Sequence, residues 1–313
     1  MITLILGMLS LPDHEYGKPK MTNPRIPFQM SSERSPLAPP EGKPLIVHNV
    51  VNVEYWPFER KMPRQTLSTP HGDAPIPDIP NYSWAEYGLR CGMPRLLKLY
   101  AERNLPVSVN LNAAVIDHYP SLAKAMRDAD WEFIGHGDTQ RLLHNEENEE
   151  ATIRGAIDKI SDFVGRPLRG WMSPGFAQTF DTPDHLTAAG IDYNLDWVLD
   201  DLPCWMRTEN GPLLCMPYGF ELNDSLVYTV ERQASPELLQ RLQDTLETFE
   251  PELKEQPRVL TLAVHPHQIA VPHRIGYLKK VMDILQARDD VIFLTGSAIS
   301  DWYKNEEPPN ISA

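Results

Sequence analysis

The chain has 313 residues, 42% of them hydrophobic, and 43 acidic against 29 basic side chains give a formal charge of −14. That length and apolar content suit one large α/β domain with a full core. The charge, without any clustered Lys/Arg run, argues against a nucleic-acid or anionic-membrane surface and leaves a small-molecule substrate as the expected partner. Cys91, Cys204 and Cys215 form no CxxC pair, so no disulfide framework or Cys-type zinc site is expected, and a reducing cytoplasm fits.

The opening MITLILGMLSLP is apolar, but it lacks a basic start and a small-x-small cleavage site and is too short to span a bilayer. Met21 is a second candidate start. Residues 13–44 are rich in Pro, Ser and charge, the composition of a segment that wraps a surface or reaches a neighbour. The expected organisation is an N-terminal arm over 1–44, extended or partly helical, a barrel domain over 45–305 and a tail over 306–313. An arm packed on a second copy would make a homo-oligomer.

Beyond the arm, apolar β-rich runs occur at 44–56, 105–113, 131–136, 168–173, 191–197, 213–218, 259–265 and 291–296. A Pro-rich insertion, 57–82, follows the first. Helical patterns fall between most of the others, at 83–104, 145–165, 235–250 and 275–288, with Gly165 placed as a C-cap and Ser235 as an N-cap. Strand alternating with helix predicts a mostly parallel sheet, closed or partly closed into a (β/α) barrel of seven or eight strands.

The polar residues fall at the strand ends: Glu54, Asn110 with Asn112, His136, Ser173, Asp196 with Trp197, and His265. In a parallel barrel those ends share one face and converge on one pocket, which points to an enzyme. Three further groups are assigned to that pocket as substrate-binding candidates. Asp200 and Asp201 follow the fifth run, where a turn or helix cap is the structural alternative. Glu221 and Asn223, beside Asp224, follow the sixth, and the tryptophans near the ends, Trp56, Trp171, Trp197 and Trp205, suit flat ligands or core packing. The run VLTLAVHPHQIAVPHR releases His265, His267 and His273. His267 shares the face of His265 if the strand continues past Pro266, and His273 lies in the loop beyond.

The order NVEYW, GHGDTQ, GWMSPG, YNLDWVLDDLPCW, MPYGFELND and LAVHPHQ resembles the polysaccharide-deacetylase superfamily over roughly residues 45–300. The likeness is strongest to the branch with metal-independent allantoinases and cyclic-imide hydrolases. The resemblance implies a distorted, partly open (β/α) barrel. In that family a Thr-Phe-Asp-Asp motif supplies first the base and then a metal ligand; here Glu54 falls at the base position and Tyr55 at the ligand. A His-x-x-x-His motif supplies two ligands; here it reads His136 to Gln140. The late Leu-x-His motif, with its acid, corresponds to His265.

The resemblance therefore implies hydrolysis of a C–N amide bond in a small cyclic ureide or imide, without a cofactor. Glu54 is the expected base, its pKa raised by aromatic surroundings. His136 and His265 are the acid/base partners. Trp171, Ser173, Pro174, Trp197 and His267 join the substrate candidates, and backbone N–H groups of 173–175 would hold an oxyanion, each worth about 3 kcal/mol. Two alternatives stay open: a metal-dependent N-deacetylase of an acetylated sugar, with Zn²⁺ on Glu54, His136, His265 and His267, and an inactive ligand-binding barrel.

Overall fold

The computed structural model describes residues 22–69 and 71–309; the apolar opening, Met21 and residues 310–313 lie outside it. Its strands, in chain order, are β1 (Leu45–Val53), β2 (Ser108–Leu111), β3 (Glu132–Gly135), β4 (Gly170–Trp171), β5 (Tyr193–Asn194), β6 (Cys204–Met206), β7 (Leu213–Cys215), β8 (Arg258–Val264) and β9 (Val291–Phe293). All nine residues of β1 are buried, as expected for a central parallel strand covered on both faces. Along one edge β1 pairs with β8; along the other it pairs first with β9, over 45–47, and then with β2, over 50–53. From β2 the sheet continues through β3, β4, β5 and β7 to β6.

Every described pairing is parallel except β6 with β7. This three-residue strand is absent from the sequence expectation; among the described residues it adds an antiparallel edge to the eight parallel strands expected. The far edge of β8 meets no full strand among the described residues. Instead Val259 N donates to Asp201 O at 2.8 Å, Ala263 N to Leu222 O at 3.1 Å, and Thr261 Oγ1 to Pro217 O at 2.6 Å. Irregular chain thus seals the gap between the sheet edges, and the barrel is the distorted, partly open one expected.

The helices are α1 (Ile79–Tyr87), α2 (Met93–Arg103), α3 (Val115–His118), α4 (Pro120–Asp128), α5 (Glu149–Val164), α6 (Thr182–Ala188), α7 (Glu237–Glu252), α8 (Ile275–Gln286) and α9 (Gly296–Glu306). Between α1 and α2 runs a wide π turn, Gly88–Gly92. There the helix backbone lies directly on Pro266 and His267: a Cβ on Gly88 would sit 2.4 Å from His267 N, and one on Gly92 2.3 Å from Pro266 O. Gly165 ends α5 at φ 73°, a conformation glycine adopts without steric cost. Ser235 does not cap α7, whose N-terminus has no side-chain cap; its carbonyl accepts Tyr228 OH at 2.9 Å. No described helix is long and apolar enough to cross a membrane.

The described part of the arm, 22–44, packs on its own barrel. Ile26 and Leu37 are buried in the core clusters. Arg34, its side chain 5% exposed, pairs with Asp200 at 2.9 Å and Glu307 at 3.2 Å, and donates to Pro203 O at 2.8 Å and to Tyr303 OH. This contact is intramolecular. Removing a buried cation leaves its partners uncompensated. Arg34→Ala is therefore expected to lower unfolding free energy by about 3 kcal/mol in urea titration; a change under about 0.5 kcal/mol, the size of an ordinary surface substitution, would mean that the arm is not anchored through Arg34.

Candidate active site

The register sets the site. Val53 pairs with Leu111 and Leu111 with Gly135, so Glu54, Asn112 and His136 leave the sheet at one level. On the other side Val51 pairs with Val264, which brings His265 to the same end. Glu54 Oε1 lies 3.9 Å from His136 Nε2 and 3.7 Å from His265 Nε2, while Oε2 accepts Trp56 Nε1 at 2.8 Å. Each imidazole is fixed from behind. His136 Nδ1 donates to Met172 O at 2.7 Å; a carbonyl only accepts, so Nδ1 carries a proton and the ring turns Nε2 toward Glu54. His265 Nδ1 donates to Asp224 Oδ1 at 2.7 Å, and the His265 backbone N–H to Asp224 Oδ2 at 2.8 Å. Asn112 ties the strand ends together, accepting from Tyr55 N at 2.8 Å and donating to His136 O.

The charge pattern reverses one expectation. Burial does push the Glu54 carboxyl up, but His136 and His265 beside it outweigh that and hold its pKa down at about 2. Aromatic surroundings alone would have raised it; two facing imidazoles were not part of that estimate. Burial likewise pulls the His265 imidazole down, and Asp224 with Glu54 outweighs it, leaving the pKa above the usual histidine value. Burial, with His265 nearby, drives His267 down to about 3. Its ring is boxed edge-on by Trp84 at 4.5 Å and Trp56 at 5.5 Å. The site therefore pairs a readily ionised Glu54 with a His265 that holds its proton more firmly than an ordinary histidine, beside a neutral His267, an arrangement able to move protons between carboxylate and imidazole.

These groups open on a cavity of about 960 Å³. Of the expected substrate residues, Pro174, Asn223 and His267 line it. Trp171 and Ser173 do not: Ser173 spends its N–H and Oγ on Asp196, at 2.7 and 2.8 Å, and Trp171 Nε1 donates to Ser173 Oγ at 3.1 Å. These strand-end polar groups satisfy one another behind the wall, where burial lifts Asp196 to about 6 against the pull of the Ser173 donors. With Ser173 N engaged and no N–H on Pro174, only the Gly175 N–H of that turn is left as an oxyanion donor. Trp197 and Glu221 also lie off the cavity, Glu221 exposed to solvent. Asp200 belongs to Arg34, and Asp201 faces Arg258 at 3.7 Å. Trp205 Nε1 donates to Glu307 O at 2.8 Å, and His273 is exposed.

Two contributors were not singled out by sequence, Tyr218 and Arg64 on the cavity wall; Asp224 behind His265 and Trp56 on Glu54 were named near strand ends, but not in these roles. Asp224 carried a signal, since it ends the polar cluster ELND and a histidine at a strand end needs an orienting partner.

The superfamily's metal does not fit these residues. At one ligand position stands Tyr55, whose ring stacks on His118 at 4.1 Å and whose phenol burial and Glu59 push above its usual pKa, so it stays a neutral, poor ligand. At another, Gln140 Oε1 accepts from Asn112 at 3.3 Å. Only His136 is left of the three. For the alternative zinc set, no three His, Cys, Asp or Glu side chains among the described residues come together at ligand spacing.

No protein-family model matches the sequence. A curated Schizosaccharomyces pombe protein named "Putative polysaccharide deacetylase" is 26% identical over 277 residues, covering 78% of this chain and 84% of its own. The crystal structure of PuuE allantoinase superimposes with a TM-score of 0.78 at 21% identity, over 88% of this chain and 96% of that one. A "probable Polysaccharide deacetylase" from Pseudomonas aeruginosa PAO1 gives a TM-score of 0.77 at 24% identity, with the same coverages. The chain is thus similar in sequence to a curated polysaccharide-deacetylase relative and shares the fold of these allantoinase and polysaccharide-deacetylase structures.

Proposed function

We propose that this protein is a hydrolase that opens a C–N amide bond in a small cyclic ureide or imide, without the superfamily's metal. The observation that carries the reading is Glu54 Oε1, held 3.7 and 3.9 Å from two imidazole Nε2 atoms whose rings are locked through Nδ1. Those gaps are too long for direct hydrogen bonds and leave room for a water between the three atoms. With Tyr55 and Gln140 at ligand positions, a strained ring is the more fitting substrate, since its nitrogen leaves with less Lewis-acid help than an acetamido group. The three free cysteines support a reducing, cytoplasmic setting.

In this mechanism Glu54 Oε1 and His136 Nε2 hold a water against the ring carbonyl. The water oxygen bonds to the carbonyl carbon and its proton passes to Glu54. The C–N bond then breaks as His265 Nε2 gives its proton to the leaving nitrogen. Glu54's proton returns to His265 through a water entering the 3.7 Å gap, and both groups are reset. A carboxylate held near pKa 2 is a weak base. It is held there partly by the positive His265, so the proton's departure from His265 strengthens the base as the proton from water arrives. The two transfers are coupled.

The deciding experiment compares ring opening of allantoin and succinimide with deacetylation of an acetylated chitooligomer, with and without chelator, on protein of measured metal content. Chelator-resistant ring opening is expected; near-stoichiometric zinc with chelator-sensitive deacetylation would overturn the reading. Glu54→Gln is expected to cut kcat by about 10³-fold while keeping ligand affinity, as loss of a positioned general base does. Unchanged turnover in that variant removes Glu54 from the chemistry.

The pH profile follows from His265. Its pKa is raised, so it keeps the required proton to higher pH than an ordinary histidine and loses it as pH climbs through that raised value. Log kcat/KM should fall on a limb at rising pH centred above 6.5. Asp224→Asn removes the strongest raising charge, which should move that limb to lower pH and reduce the rate above neutrality. A limb that stays in place in Asp224→Asn would show that another group supplies the proton.

A further inference from the structure

The cavity wall carries a charge pattern that amide hydrolysis alone does not call for. In a chain of net charge −14, the only carboxylate on the wall is Glu54, against Arg60, Lys61, Arg64 and Arg141. Arg141 is occupied by Glu146 at 3.4 Å. Arg60 and Lys61 are exposed at the mouth. Arg64 is different. It is partly buried, and its guanidinium is aimed by one neutral contact, Nη1 donating to Ser225 Oγ at 2.7 Å. Among the described residues no carboxylate lies within ion-pairing distance of it. Ser225 is itself fixed, its N–H donating to Asn223 Oδ1 at 3.0 Å. Asn223 and Ser225 are the neighbours of Asp224, so Arg64 sits on the same wall as the His265 anchor. Its charge reaches the centre, opposing protonation of both His265 and His267.

We propose that Arg64 makes this cavity selective for ring amides bearing a carboxylate, which its guanidinium fork grips while Glu54 and His265 face the C–N bond. This rests on the ring-hydrolase reading and names the substrate class for that site. A planar guanidinium with unfilled donors matches a carboxylate in two-point contact. Arg60 and Lys61 at the mouth add an attractive field for an incoming anion. The volume agrees: about 960 Å³ is at the upper end of ligand pockets, which run about 300–1,000 Å³, and leaves space for an acidic arm beside one ring. A neutral acetylated sugar, whose deacetylated product is cationic, gains nothing from such a wall.

The test uses a matched pair of probes, hydantoin-5-acetic acid and its neutral isostere hydantoin-5-acetamide. Wild-type protein should favour the carboxylate by about 10–100-fold in kcat/KM, the range for a charge-assisted hydrogen-bonded contact. Arg64→Gln should erase that preference mainly through KM for the acid, and Arg64→Lys should keep part of it. Calorimetric binding of both probes to wild-type and Arg64→Gln protein separates the two readings. If neither ring opens but the acid still binds preferentially through Arg64, the hydrolase reading fails and the anion site stands. Equal affinity and equal turnover of acid and amide in the wild type, or a preference unmoved by Arg64→Gln, would overturn the anion site.

Discussion

The whole site depends on one electrostatic requirement, the compensation of a carboxylate whose side chain is only 9% exposed. An ionised group withdrawn from water is tolerated when positive charge and hydrogen bonds replace its hydration. For Glu54 the replacements come from three parts of the barrel: Trp56 two residues on, His136 after β3 and His265 after β8. None of them would serve with a freely rotating ring. His265 is positioned by Asp224, itself fully buried, and His136 by the carbonyl of Met172. The sheet register, the irregular seal along β8 and the 223–225 turn are thus conditions for one pair of 3.7–3.9 Å gaps.

The same hierarchy explains what could be read from sequence. Parallel strands all end on one face whatever their sequence, so Glu54, His136 and His265 were legible from the polar residue that closes each apolar run. That rule says nothing about which way a side chain turns after a short strand. β4 and β5 are two residues each, and the polar groups beyond them, Ser173 and Asp196, turned to each other and not to the cavity. Asp200 was misplaced for another reason: its partner, Arg34, is 166 residues away in sequence, and no local pattern announces an arm folding back on its own barrel. Arg64 comes from the Pro-rich insertion 57–82, which has no periodicity to place it. β6 was missed because three residues are too few to show alternation.

The departures from the superfamily's ligand pattern form a connected unit in the structure. Gln140 N donates to Tyr55 O at 3.1 Å, and Asn112 bonds Tyr55 N, His136 O and Gln140 Oε1. The two positions that the resemblance sets against metal ligands, Tyr55 and Gln140, are joined through backbone and one asparagine, in a local network that keeps β1, β2 and β3 in step. Rigidity that an ion would otherwise lend to these ends is supplied by hydrogen bonds among neutral groups. Such bonds hold geometry well and polarise a carbonyl poorly.

The consequence appears in the balance of charge. Where a divalent ion would face the base, this centre has one mobile positive charge, the proton on His265, buffered by Asp224. Glu54 and Asp224 flank His265, and Arg64 on the wall adds a positive charge opposite them. On the proposed reaction, ring opening would create a new carboxylate close to Glu54, where like charges repel at short range. An anionic arm held by Arg64 keeps the substrate's own negative charge away from Glu54 before that step. Afterwards the fresh carboxylate would compete for the same cation, so the charge proposed to draw the substrate in would also bear on how its product leaves.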